Sequence, residues 1–140
     1  MLSELREDAD VRVDCPVYIG GPLASDRLFF MHTLGDGIIP GARAYAPGLY
    51  VGGDFDAILE YVNSGYQVDG TVRFFVGYSG WERGQLEQEL ACGAWAMAQA
   101  DSDPEQLFRG HGDAYWHRAV RALGEPYRSW RMVPRLTCAN

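Results

Sequence analysis

Ser79, three histidines and a group of glutamates are the side chains here whose types suit catalysis. Ser79 lies in Gly77-Tyr78-Ser79-Gly80-Trp81, after an apolar run and before an amphipathic one, which is the setting of a nucleophile elbow. That elbow needs glycine two places after the serine, and Trp81 stands there. His111 and His117 follow downstream, with no spacing rule that brings either to Ser79. Glycines at 77, 80 and 84 read first as turn residues with access to positive φ. His32 alternates along a strand-like run, with Asp36 behind it, and reads as a hydrogen-bonded structural histidine before it reads as a base or ligand. The spacing of the three histidines builds no metal site. Glu82, Glu87 and Glu89 suit acid–base work only if one is desolvated. Glu87 and Glu89, two apart on a helix, face different ways. The expectation is no catalytic set, no metal and no cofactor.

These groups must be positioned by elements that the pattern of residues predicts. Residues 1–14 are polar and read as a loosely ordered lead-in to one domain over 1–140. Pro16–Ile19 reads as a short strand that turns at Gly20-Gly21-Pro22. Arg27–Thr33 is an apolar strand, and Gly35–Pro47 a long ordered loop. After a brief strand at Leu49–Val51, Asp54 caps a helix with Phe55, Ile58, Leu59 and Val62 on one face and Gly65 as its stop. Gly52-Gly53-Asp54-Phe55 resembles the start of a GGDEF signature, but Asp56 breaks it, and a strand end followed by a cap explains it better. Thr71–Ser79 is mostly apolar at both odd (Arg73, Phe75, Gly77) and even (Val72, Phe74, Val76, Tyr78) positions, as expected of a central strand covered on both faces. A helix from Gln85 carries Leu86, Leu90 and Ala94 on one stripe, with Glu87 and Glu89 in its early turns. Trp95–Ala100 reads as a strand. Asp103-Pro104 opens a helix, and Asp113 caps a last one ending at Gly124. Strands and helices mix without a regular alternation, which predicts an α+β fold.

Composition narrows the function classes. In 140 residues, 47% are hydrophobic and four are tryptophan, enough for a real core. No apolar run reaches the ~20 residues of a membrane helix, so a cytoplasmic protein is expected. The net charge of −7 opposes direct DNA binding. The charge is uneven: residues 1–110 hold seven arginines against seventeen acids, while residues 111–140 hold five against two. That tail reads first as a solvated helix face. Every basic residue is arginine, so no lysine Schiff base or P-loop lysine exists. Cys15, Cys92 and Cys138 form neither a disulfide framework nor a zinc pattern.

Several ordered motifs resemble the AlgH/YqgE family of bacterial proteins: Val17-Tyr18-Ile19-Gly20-Gly21-Pro22, Phe30-Met31-His32-Thr33, and Gly77-Tyr78-Ser79-Gly80-Trp81 with Gly84-Gln85-Leu86-Glu87 and Glu89. The resemblance spans roughly residues 16–125. It implies a curved, partly closed mixed or antiparallel sheet flanked by helices. It implies little chemistry: the family is commonly labelled a group of transcriptional regulators, with no established reaction or cofactor. Nothing resembles a helix-turn-helix, so an indirect regulatory role is expected, through a small molecule or a protein. Family members carry further strands and an Asn-Arg-Pro segment before the GGP motif; their absence here leaves a sheet edge free, and self-association through that edge is expected.

The expected ligand or partner surface comprises Gly20, Gly21, Pro22, His32, Tyr78, Ser79, Gly80, Trp81, Gln85, Glu87 and Glu89. In it the Gln85 helix offers free N–H groups and Trp81 a flat apolar wall. Two other readings compete. One is a hydrolase using Ser79 or His32, and the other a pure partner-binding module with a broad apolar patch.

Overall fold

Leu28, Phe30 and His32 alternate with Phe29 and Met31, so the strand that carries them has two distinct faces. The computed structural model describes residues 1–99, 103–110 and 112–132. It divides them into two units, the first holding residues 1–80 and 103–109, the second 81–99, 110 and 112–132.

The first unit is built on five strands, β1 (Val17–Ile19), β2 (Leu23–His32), β3 (Arg43–Ala46), β4 (Leu49–Val51) and β5 (Val72–Tyr78). Their order is β1-β5-β2-β4-β3, with β1 parallel to β5 and the other neighbours antiparallel. Register pairs His32 with Val72, Phe30 with Phe74 and Leu28 with Val76, which sets these six on one face. Helix α2 (Phe55–Asn63) supplies Ile58 and Val62 to the same core, and both are fully buried. Each such side chain contributes roughly 1.5–3 kcal/mol on burial. As expected, Asp54 caps α2, its carboxylate accepting from the Ala57 N–H at 2.8 Å, and Gly65 follows the end at φ 77°. Helix α4 (Pro104–Phe108) is capped by Asp103 and buries Phe108, whose carbonyl accepts from Arg73 at 2.5 Å.

Four expectations on this unit are corrected. Residues 1–14 are not a loose lead-in: helix α1 (Leu2–Leu5) places Leu2, fully buried, in the core. Asp14 accepts from the backbone and hydroxyl of Ser3, and Asn63 bonds the backbone of Asp10, Arg12 and Val13. A polar composition hid these contacts because one leucine and one asparagine carry them. Strand β2 starts at Leu23, not Arg27, across an irregularity between Leu23 and Leu28. The loop expected at Gly35–Pro47 contains β3, too short and too exposed to show alternation. Strand β5 pairs on both edges as a central strand should, but only its face of Val72 and Phe74 is closed; Arg73 and Phe75 are half-buried.

The second unit contains α3 (Gln85–Ala91), α5 (Gly112–Leu123) and a 3₁₀ helix (Tyr127–Met132). Trp95–Gln99 forms no strand, and Ala100 lies outside the described residues. Asp113 stands inside the first turn of α5 rather than at its cap. Helix α3 has no buried residue, whereas α5 buries Val120. Trp116 and Trp130 stack with centroids 6.3 Å apart, and Tyr127 meets Trp130 edge-on. The mixed sheet with flanking helices is the α+β class expected. No helix among the described residues is long and apolar enough to cross a membrane.

Candidate functional site

His32 is not on a surface. Its side chain is fully buried, with Nε2 at 3.0 Å from the Gly52 carbonyl and Nδ1 at 3.3 Å from the Leu34 N–H. These partners fix a neutral ring that donates from Nε2 and accepts at Nδ1. Tyr50 stacks on it at 5.8 Å, and burial pushes its pKa below the ordinary value of 6.5. Gly52 and Asp54 thus belong to a structural junction, where Gly52 N–H also bonds Phe30 and Asp54 N–H bonds Pro40.

The two glycine motifs meet at the other end of β5. Gly20 N–H donates to the Val76 carbonyl at 2.8 Å, and Ser79 Oγ donates to the Gly20 carbonyl at 3.2 Å. Gly77 adopts φ +70°, and a β-carbon there would lie 2.3 Å from the Gly21 carbonyl oxygen. One at Gly20 would lie 2.4 Å from the Gly77 oxygen. Backbone therefore packs on backbone, which only glycine permits. Ala24 adds a left-handed φ of 48°, rare and costly for a residue with a side chain. Around this knot Ile19 is 80% exposed, Leu23 44% and Tyr78 46%, with Leu23 paired to Tyr78. Pro22 is exposed beside them, and Gly80 packs against Leu23 and Tyr78.

Ser79 and His32 do not meet. His32 pairs with Val72, seven residues before Ser79, a span on the order of 20 Å at a strand's rise. His111 lies outside the described residues. Among the described residues, no three His, Cys, Asp or Glu side chains are grouped to hold a metal. Cys15 is buried, and desolvation raises its pKa, which makes it a poor nucleophile.

In the second unit, Glu89 gathers the remaining candidates. Its Oε2 accepts from the indoles of Trp81 at 2.9 Å and Trp95 at 2.7 Å, and its Oε1 from Gln85 at 2.9 Å. The two indoles meet edge-on at 5.3 Å. Hydrogen bonds from Trp81, then Gln85 and Trp95, lower the Glu89 pKa. Trp81 is a partly exposed bracket over α3 instead of a free wall. At the start of the Gln85 helix, Gln85 N–H donates to the Glu82 carbonyl, and the Gln85 side chain accepts from the Glu82 N–H. Glu87 is exposed and plays no part in this network.

Ile19, Leu23, Ala24 and Trp95 were absent from the expected site. For the first two a signal existed, since residues 15–23 carry no charge. Trp95 was hidden by its assignment to a strand.

Comparison with known proteins supports the fold and says little of chemistry. A family model described as AlgH-like (DUF179) matches residues 1–128. A UPF0301 protein of Parabacteroides distasonis is 42% identical over 122 residues, 87% of this chain and 61% of that protein. One from Bacteroides thetaiotaomicron is 42% identical over 125 residues, 89% of this chain and 62% of its own. The solution structure of the AlgH protein from Pseudomonas aeruginosa matches 95% of this chain and 68% of that one, with TM-score 0.64 and 29% identity. The chain spans about three fifths of the length of the curated relatives it matches.

Proposed function

We propose that this chain, which belongs to the AlgH-like family, acts by binding a partner rather than by catalysis, in an indirect regulatory role in the cytoplasm. The observation that carries the reading is the corner formed by β1 and the ends of β2 and β5. There, exposed Leu23 and Tyr78, paired between β2 and β5, stand beside a backbone knot of Gly20, Gly21 and Gly77. Exposed apolar side chains beside strained backbone, here Ala24 at φ 48°, mark interaction sites, since both cost stability unless something uses them. The alternative of a serine hydrolase lacks support, because Ser79 Oγ is engaged with the Gly20 carbonyl and His32 with Gly52.

A photo-crosslinking residue at Tyr78, compared with one at exposed Tyr66, tests the reading. A defined adduct at position 78 that weakens in Leu23→Asp is the expected result. Equal labelling at both positions, or none, overturns it. Ester hydrolysis that depends on Ser79 would favour the enzyme instead.

A further inference from the structure

We infer that His32 is an acid-operated latch, holding residues 33–42 against the sheet when neutral and releasing them when charged. The inference stands apart from the binding reading above. Among the described residues, His32 is the single buried residue with a polar or charged side chain. It sits where the segment between β2 and β3 begins. Leu34 N–H, two residues on, donates to Nδ1, and Nε2 donates to the carbonyl of Gly52, just past β4. Further along the segment Ile39 is fully buried, its N–H donates to the Gly35 carbonyl, and the Pro40 carbonyl accepts from Asp54. Gly35 itself lies against the Tyr50 ring, which stacks on His32. The start of the segment and the junction after β4 therefore meet on one imidazole.

Protonation acts on these contacts unequally. The Nε2 donor serves Gly52 in either state. Nδ1 accepts only while the ring is neutral; charged, it carries a proton that meets the Leu34 N–H, donor against donor. The segment then loses its first tether, and a buried donor is left unpaired. Phe30 from β2, Tyr50 from β4 and Val72 from β5 face the ring, and Tyr50 is the titratable group among them. The aromatic faces favour a cation, as the Gly52 carbonyl does, yet the group at Nδ1 stays a donor. Of the charged residues on these elements, Asp36 belongs to the segment itself and Arg43 begins β3. Asp54 is committed to capping α2, and Arg73 of β5 to the Phe108 carbonyl. Burial is the larger influence on the ring and disfavours its charged form. The sheet ladders on either side of β2 do not use Nδ1, so the strands stay paired when the ring leaves for water.

Amide hydrogen exchange followed by NMR between about pH 7.5 and about pH 5 tests this, with the His32 ring nitrogens read in the same samples. The neutral ring is expected to carry its proton on Nε2 at the higher pH. The Leu34 and Ile39 amides are expected to open on their own, with protection at least about tenfold below that of the β5 ladder. Below about pH 6.5 their protection is expected to fall by about tenfold per pH unit, and to be lost by the pH at which the ring is charged. His32→Asn keeps an acceptor for the Leu34 N–H and does not titrate in this range, so the pH dependence is expected to vanish; circular dichroism checks its fold. Leu34 and Ile39 as protected as β5 at every pH would make their release a part of global unfolding and overturn the latch. Protection that persists after the ring is charged overturns it too, as does a pH dependence retained in folded His32→Asn. If that variant does not fold, the two readings on the wild-type chain still decide.

Discussion

A carboxylate that accepts two indole hydrogen bonds holds its charge more firmly than a free one, and Glu89 is such a group. Its folded pKa lies below the ordinary 4.5, so as pH falls the unfolded chain takes up the proton first. Its contribution is complete above the ordinary value and is lost as pH falls through the lowered one. Tryptophan fluorescence should therefore change in acid as Trp81 and Trp95 are released, and Glu89→Gln should remove that step. An unchanged acid profile in the variant would refute the bracket. His32 follows the same sign by another cause. Burial lowers its folded pKa, so its share of stability is full above about pH 6.5 and declines as pH falls below that. Urea unfolding at about pH 7.5 and about pH 5 should show the decline. His32→Phe should cost about 2 kcal/mol at the higher pH by leaving the Gly52 and Leu34 groups unpaired. It should also flatten the difference between the two.

At the scale of elements, the meeting of β1, β2 and β5 depends on close backbone approach. Gly77→Ala combines a left-handed φ with a β-carbon 2.3 Å from the Gly21 oxygen. A loss of about 3 kcal/mol or more is expected, read from the urea midpoint. Ala24→Gly acts in the opposite direction. Relief of φ 48° outweighs the added chain entropy, and a gain of up to about 1 kcal/mol is expected. If both substitutions were neutral, the knot would not be under the constraint described. The elements most legible in the sequence were those with local signals. Helix α2 has its Asp54 cap, its apolar stripe and Gly65, and β5 has an apolar run broken only by Arg73. Strand β3 was not legible, because four exposed residues form a strand only by pairing with β4. The strand expected at Trp95 failed for a related reason: short apolar runs do not distinguish a strand from a loop pinned by one side chain.

For the whole molecule, charge gives the plainest expectation. With a net charge of −7, duplex DNA should show no retarded band at about 0.15 M salt. A sequence-specific shift under those conditions would replace the indirect role with direct binding.

The sequence by itself determined the family, the α+β class, the Asp54 and Asp103 helix caps and the lack of lysine chemistry, since each is carried by local pattern or by composition. It also marked the two glycine motifs as special. Only the tertiary structure decided that these motifs are one object, Gly20 and Gly21 lying against Gly77 across β1 and β5. It likewise decided that His32 is buried beside Gly52, that Leu2 belongs to the core, and that Glu89 joins Trp81 to Trp95. The reason is physical. Periodicity reports which face a residue takes within its own element, whereas burial and hydrogen bonding depend on which distant segment lies opposite.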